Sequence, residues 1–80
     1  MNNINVNESV YPVNLSDFAR TLGVSIPTLR THWDKNIISP VLYSFDKFVL
    51  FDPIASARKL REFGRSQKIR EAASRYLEIA

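Results

Sequence analysis

Residues 14–40 read NLSDFARTLGVSIPTLRTHWDKNIISP, and the spacing of apolar residues and helix caps in this stretch predicts two short helices. Its first apolar residues recur at positions i, i+3, i+4 and i+7, the spacing of a short amphipathic helix: Leu15, Phe18, Ala19 and Leu22. Asn14 is a good N-cap, and Asp17, three residues later, can bond back to the Asn14 amide. Gly23 tolerates the positive φ of a left-handed helix end, so we predict that the first helix stops there.

A second helix begins almost at once, because a single residue separates Gly23 from Ser25, another good N-cap. Pro27 falls in the first turn of this helix, where its missing N–H costs little. The apolar spacing predicts an inward face formed by Ile26, Leu29 and Trp33. The pattern is therefore a helix, a tight glycine turn and a second helix.

The chain then changes to strand-forming residues. Asn36 can adopt the left-handed conformation that ends the second helix, two isoleucines follow it into the core, and Pro40 prevents helical continuation. Residues 41–43 and 48–51 are β-branched or aromatic runs around residues 44–47, which predicts a hairpin. Side chains alternate between the two faces of a hairpin, so one or two of its aromatic residues are expected to be exposed: Tyr43, Phe45, Phe48 and Phe51.

The last third predicts two helices rather than one. Asp52-Pro53 is an N-cap followed by a first-turn proline, and the helix that it begins has the inward stripe Ile54, Ala57, Leu60 and Phe63. A second stripe follows Gly64: Ile69, Ala72, Ala73, Tyr76 and Ala80. At 100° per residue the two stripes lie on the order of 170° apart, so one straight helix would bury opposite sides. We predict a break at residues 64–66, with Ser66 capping a fourth helix that either folds back onto the core or presents its stripe to another copy.

The composition excludes several classes of protein. The chain has 80 residues, enough for one domain, with no cysteine and a single histidine, so disulfides, thiolate catalysis, zinc sites built on cysteine and metal sites built on histidine alone are excluded. No acid pair and no nucleophile with a base stands out, and we expect neither an enzyme nor a cofactor. We also expect no membrane anchor or signal peptide, since no apolar run approaches 20 residues and no basic residue precedes Arg20. A cytoplasmic protein is the expectation.

The charge is uneven along the chain. The formal net charge is +3, but through Asp52 four basic residues stand against five acidic ones. From Pro53 onward seven basic residues stand against three acidic ones. The positive potential therefore lies mainly in the last third, as a solvated helix face or as a surface for a polyanion.

Two helices joined by a glycine turn, then a hairpin, then a helix, form the outline of a winged helix-turn-helix, whose second helix enters the DNA major groove. Residues 14–63 resemble the DNA-binding half of MerR-type regulators and the excisionase-like and Cox-like proteins of phages and mobile elements. The resemblance rests on Asp17-Phe18-Ala19, Gly23-Val24-Ser25 and Leu29-Arg30, in that order. It implies a mainly α winged helix-turn-helix domain over residues 11–64, after a flexible arm at 1–10 and before a C-terminal helix at 65–80. The chain departs from the family in Asn36, where a glycine is usual, and in the weakly basic hairpin turn.

The candidates for contact with DNA are the polar and basic residues that are not expected in the core. Four of them project from the second helix: Thr28, Arg30, Thr31 and Lys35. Arg30 is the first candidate because arginine binds guanine bidentately, while Ser25 and the first-turn amides suit a phosphate. Backbone contacts are expected from Arg20 and from Lys47 in the hairpin turn, and from a basic flank of Arg58, Arg61, Arg65 and Lys68.

Each candidate also has an ordinary structural interpretation. Arg30 can form an ion pair with Asp34 four residues later. His32 is expected to be a packed or surface histidine rather than a DNA ligand, and Trp33 is expected in the core. The basic last third is equally typical of a solvated helix face.

The hypothesis from sequence is a double-stranded DNA-binding regulator or recombination directionality factor, located in the cytoplasm with the nucleoid. The resemblance implies binding to several adjacent sites and assistance to an integrase. One reading helix contacts few base pairs, so self-association is expected, with the fourth helix as its contact. Two alternatives remain open: the recognition domain of a terminase small subunit, and a protein-binding adaptor that uses the aromatic hairpin.

Overall fold

A computed structural model of the chain describes residues 11–44 and 48–80. In chain order the elements are β1 (Val13–Asn14), α1 (Leu15–Leu22), α2 (Ile26–Asp34), β2 (Leu42–Ser44), β3 (Phe48–Phe51), α3 (Pro53–Phe63) and α4 (Gln67–Ile79). The prediction of a mainly helical chain with a small β-hairpin is confirmed. The predicted arm at residues 1–10 and the hairpin residues Phe45, Asp46 and Lys47 lie outside the described residues.

The two ends of α1 form as the sequence predicts. The Asp17 amide donates to Asn14 Oδ1 at 2.7 Å, and Gly23 ends the helix with a φ of 77°. The Asp17 carboxylate lies 3.2 Å from Arg20 Nη1, so it pairs along the helix rather than returning to the Asn14 amide. All four residues of the predicted stripe are buried.

Helix α2 is capped as predicted but turns a different face inward. The Thr28 amide donates to Ser25 Oγ at 3.2 Å, and Asn36 has the expected left-handed φ of 62°. Leu29 is fully buried, whereas Ile26 is 42% exposed and Trp33 is half-buried. The inward prediction for Ile26 is therefore wrong, because His32 lies beside Leu29 on the core side and moves the centre of that face away from Ile26.

The sheet has three antiparallel strands in the order β1-β3-β2. The sequence patterns above do not indicate β1: Val13 pairs with Phe51 and so adds a strand to the hairpin, which alone would be marginally stable. Phe51 is fully buried, and its ring lies edge-on to Trp33 with centroids 5.5 Å apart. Two hairpin aromatics, Tyr43 and Phe48, are exposed, within the number expected. Phe48 lies on the face opposite Phe51, as alternation requires, whereas Tyr43 lies on the same face as Phe51, at the edge of the sheet beside Trp33.

Helix α3 begins at the predicted cap, where Asp52 Oδ1 accepts from the Ile54 and Ala55 amides at 3.0 and 3.2 Å. Its central residues Ala57 and Leu60 are fully buried. Phe63 was predicted to face inward but is 54% exposed. It occupies the last turn of the helix, where Ile69 of α4 already fills the core, and its ring instead lies 5.7 Å from Lys59 Nζ.

The break between α3 and α4 lies at residues 64–66, as the angle between the two apolar stripes predicts. Gly64 is buried with a φ of −56°, so a close approach rather than a positive φ requires glycine. A Cβ at this position would overlap Leu60 O and lie 2.7 Å from Ile69 Cγ2. Ser66 Oγ caps α4 by accepting from the Ile69 amide at 3.3 Å, and Arg70 Nη1 donates to Gly64 O at 2.8 Å.

Of the two alternatives left open for α4, the chain adopts the first and folds back. Ile69, Ala72 and Ala73 are buried, and the Tyr76 ring lies edge-on to Phe18 with centroids 6.3 Å apart. The stripe expected to contact another copy therefore packs against α3 and α1 of the same chain. Only Ala80, at its far end, is fully exposed.

Gly64→Ala is expected to lower the free energy of unfolding by about 1 to 3 kcal/mol, because the new methyl group overpacks the contact between α3 and α4. Gly23→Ala is the matched control: open space surrounds its Cβ, so it should cost only the left-handed strain, about 1 kcal/mol. Urea denaturation of both variants measures the difference. A Gly64→Ala protein at least as stable as Gly23→Ala would contradict the packing argument.

Burial, and after it the negative charge of Asp52, raises the pKa of the Tyr76 phenol above its usual 10.0. The folded chain therefore holds this proton more tightly than the unfolded chain. Its contribution to stability is complete below the unfolded pKa and is lost as the pH rises through the folded one. Urea denaturation from about pH 9 to about pH 11 should show a steeper loss of stability for the parent than for Tyr76→Phe. Parallel curves would rule this contribution out.

Candidate nucleic-acid interface

The outward face of α2 is the surface on which the sequence placed the DNA contacts. Pro27, Arg30, Thr31 and Asp34 are all exposed and span about 100° of the helix. Lys35 is exposed at the C-terminal end of α2. Neither the C-terminal helix nor any other segment of residues 11–44 and 48–80 covers Arg30 and Thr31, and both are exposed.

The hydroxyl groups at the start of α2 are already engaged within the helix. Ser25 Oγ lies 2.7 Å from Thr28 Oγ1, and Thr31 Oγ1 donates to the Pro27 carbonyl at 3.0 Å. Thr28 was predicted to project outward but is half-buried, because it faces the beginning of α4. Of the two threonines, only Thr31 therefore presents its methyl group and hydroxyl lone pairs on the outward face.

Arg30 lies at the mouth of a groove of about 460 Å³ between α2, the start of α1 and the sheet. Its guanidinium carbon is 5.8 Å from the centroid of the Trp33 ring, and Trp33 in turn lies edge-on to Tyr43 at 6.2 Å. The alternative ion pair with Asp34 does not form in the part of the chain that the structure describes. A cation–π contact at an exposed site contributes about 0.5 to 1 kcal/mol, enough to orient the guanidinium without fixing it.

His32 holds α2 against the rest of the molecule. It is only 3% exposed, its Nδ1 lies 2.7 Å from Thr28 O, and its Nε2 lies 3.1 Å from the Arg65 amide nitrogen. Because Arg65 N–H is a donor, Nε2 accepts and the proton of the neutral ring sits on Nδ1. This packed role is one of the two expected for His32, but its partner Arg65 lies 33 residues away and carries no signal in the sequence.

A cleft of about 190 Å³ joins the first turn of α2 to the first turn of α4. Ser25 and Thr28 line it from one side, and Ser66 and Lys68 line it from the other. The free amides at both helix starts carry partial positive charge, and the Lys68 ammonium adds a full one. The sequence assigned Lys68 to a flank, whereas the fold brings it to the N-terminus of α2.

The basic flank predicted from Arg58 to Lys68 does not form one stripe, because the helix breaks at Gly64. The side of α3 next to α2 and the segment after it carries Ala55, Ser56, Lys59 and Phe63. Arg58 and Arg61 are exposed on the other side of α3, on the order of 140° around its axis. Arg65 is exposed beside α2, since its amide bonds to His32.

The remaining candidates are separate from this cluster. Arg20 is exposed on α1 and paired with Asp17, which is the only ion pair among residues 11–44 and 48–80. Lys47 lies outside the described residues. The cations near α2, Arg30, Arg65 and Lys68, therefore carry charge that no carboxylate in the described ranges neutralises at short range.

Comparison of the chain with protein-family models, with curated proteins and with solved structures finds no match. None of the described helices is both long and apolar enough to cross a membrane. Over the same described positions, no three potential ligands among His, Cys, Asp and Glu cluster closely enough to hold a metal ion.

His32→Leu is expected to lower the free energy of unfolding by about 2 to 4 kcal/mol, because it removes both bonds of the buried ring and leaves the partly buried Arg65 amide without its acceptor. His32→Gln, whose amide oxygen can accept the same bond, should retain part of that stability. Thr31→Ala, on the outward side of the helix, should stay within about 0.5 kcal/mol of the parent. Urea titrations followed by circular dichroism give all three values. Equal stability of His32→Leu and the parent would refute a holding role for this ring.

Proposed function

We propose that this chain binds double-stranded DNA as a winged helix-turn-helix protein. Helices α1 and α2 form the helix-turn-helix, α2 is the reading helix, and the β2–β3 hairpin is the wing. The observation that carries the proposal is the free outward face of α2, on which Arg30 and Thr31 are uncovered. A single exposed helix of nine residues has the dimensions that the major groove accepts.

Base contacts are assigned to the middle of α2. The Arg30 guanidinium can leave the Trp33 ring and bind guanine O6 and N7 bidentately, and the Thr31 methyl group can meet a thymine methyl. Around the helix axis, Asp34 lies between Arg30 and Thr31. Its carboxylate repels phosphates but can accept a hydrogen bond from a cytosine amino group. This mixed face favours sequence-specific reading over uniform attraction to the backbone.

Phosphate contacts are assigned to the N-terminal end of α2. A phosphate in the cleft between α2 and α4 would meet the first-turn amides that the two serine caps do not bond, those of Ile26, Gln67 and Lys68, together with the Lys68 ammonium. Arg65, whose backbone amide bonds to His32 beside α2, would pair with the neighbouring phosphate. Such contacts fix the orientation of a reading helix on the duplex without carrying sequence information.

The cellular role follows from the sequence resemblance. It implies a small regulator or recombination directionality factor of a phage or mobile element, acting on cytoplasmic, nucleoid DNA with an integrase as partner. One reading helix discriminates few base pairs, so we propose that several copies bind adjacent sites. The stripe of α4 is buried within the chain, so cooperativity would use other surfaces. The recognition domain of a terminase small subunit would use the same contacts.

A second candidate is a protein-binding adaptor, which the hairpin favours. Four of the eight exposed large apolar residues of the described chain lie on it: Val41, Leu42, Tyr43 and Phe48. Leu42 and Phe48 lie on the same face of the hairpin, and adjacent exposed apolar side chains of this kind are typical of protein interfaces. The two candidates differ in their response to salt.

Titration of the full chain with mixed duplex DNA at about 50 and about 200 mM salt tests the proposal. A protein that makes six to ten phosphate contacts loses on the order of 10³ to 10⁵ in affinity over that range, and fewer contacts give a proportionally smaller loss. A DNA reader is expected to bind at low salt and to weaken steeply. No duplex binding at low salt would overturn the proposal and favour the adaptor.

Arg30→Ala is expected to cost about 1 to 3 kcal/mol on a selected cognate site, because it removes a bidentate contact. Arg30→Lys is the matched control, since it keeps the charge but loses the planar fork. It should bind non-specific DNA like the parent and discriminate the cognate site poorly. Competition binding against random duplex measures both quantities. An Arg30→Ala protein with parental specificity would show that another face reads the bases.

Lys68→Ala is expected to lower the slope of log affinity against log salt concentration by about 1, because one phosphate contact is lost. Arg58→Ala removes the same charge from the far side of α3 and should leave the slope unchanged. Fluorescence anisotropy at several salt concentrations gives the slopes. If the two variants change the slope equally, the cleft between α2 and α4 does not hold a phosphate.

A further inference from the structure

A groove of about 480 Å³ runs between α3 and the segment that follows α2. Ile38 and Ser56 are its buried residues, Ile37 and Phe63 are among its apolar walls, and Lys59 also lines it. The volume falls within the range of about 300 to 1,000 Å³ that small-molecule sites occupy. The groove is separate from the outward face of α2, none of whose residues lines it.

Ser56 is the unusual residue in this groove. Its side chain is 4% exposed, and its hydroxyl has no hydrogen-bond partner anywhere in the described ranges. A serine within a helix ordinarily bonds to the carbonyl four residues earlier or points to solvent, and Ser56 does neither. It lies on the side of α3 that carries Ala55, Lys59 and Phe63, so its free donor is available to a ligand in the groove.

Lys59 indicates that the groove favours a negatively charged ligand. It is the only charged residue that lines the groove, it is exposed, and no carboxylate of the described chain pairs with it. Its ammonium lies 5.7 Å from the Phe63 ring, so an anion that it binds would have an aromatic surface beside it. A cation and a free hydroxyl beside aliphatic walls complement a carboxylate that carries an apolar tail.

We propose that this groove is a binding site for small monocarboxylates with an apolar tail. The carboxylate pairs with Lys59 and accepts from the Ser56 hydroxyl, while the tail lies on Ile37, Ile38 and Phe63. A bound ligand would connect the segment after α2 to α3 and stabilise the folded chain by mass action. The proposal is independent of DNA binding.

Hexanoate is a suitable probe for the full chain in the absence of DNA. A tail of five carbons and a carboxylate in an open groove give an expected dissociation constant on the order of 1 mM. Two-dimensional NMR should show saturable shifts of the Ile38, Ser56 and Lys59 amides. Acetate, which lacks the tail, and hexan-1-ol, which lacks the charge, should each bind at least about tenfold more weakly.

Three variants separate the contributions. Lys59→Gln should weaken hexanoate binding by about tenfold or more, whereas Arg75→Gln, the loss of an exposed cation on α4 outside the groove, should leave it unchanged. Ser56→Ala should weaken binding several-fold without lowering the melting temperature, because the hydroxyl that it removes has no partner to lose.

Four outcomes would overturn the assignment. The first is the absence of saturable shifts at tens of millimolar hexanoate. The second is equal binding of hexan-1-ol and hexanoate, and the third is undiminished binding by Lys59→Gln. Binding as tight for acetate as for hexanoate would likewise exclude a role for the apolar walls.

Discussion

The close approach of two helices at Gly64 is the constraint on which the rest of the structure depends. With no side chain at this position, Ile69 lies beside Leu60 O, and α4 can fold back along α3. The core of so short a chain then contains residues from all four helices and from the sheet. A larger residue would separate α3 from α4 and expose the stripe of α4, and a chain of this length has little other apolar surface to bury.

The turn at Gly64 also determines how α2 is presented. It brings the Arg65 amide to His32, whose other ring nitrogen bonds to the carbonyl of Thr28. The histidine thereby ties the buried side of α2 to the start of α4, and Arg30 and Thr31 are left on the side that faces solvent. Lys68 reaches the first turn of α2 for the same reason. The candidate DNA surface is therefore assembled by the C-terminal helix without being covered by it.

Local chemistry explains why much of this was predictable. The caps at Asn14, Ser25, Asp52 and Ser66 are formed by side chains within three residues of the amides that they accept, so sequence spacing is enough to identify them. The left-handed residues Gly23 and Asn36 and the break at Gly64 follow from similarly short-range rules. The predictions that Ile26 and Phe63 face inward were wrong. An amphipathic stripe has two edges, and the neighbouring helices decide which edge is buried.

The number of helices, their ends and the hairpin could be predicted from the residues alone, since each depends on interactions over a few positions. The outward face of α2 could be predicted only in part, because Thr28 is half-buried beside the start of α4. Only the tertiary structure decided that His32 would be a buried clamp and that Lys68 would stand beside Ser25 while Arg58 and Arg61 turn away. The third strand and the unpartnered Ser56 hydroxyl were decided in the same way. All of these depend on which distant segments meet, and that is settled by how a small core closes rather than by any local pattern.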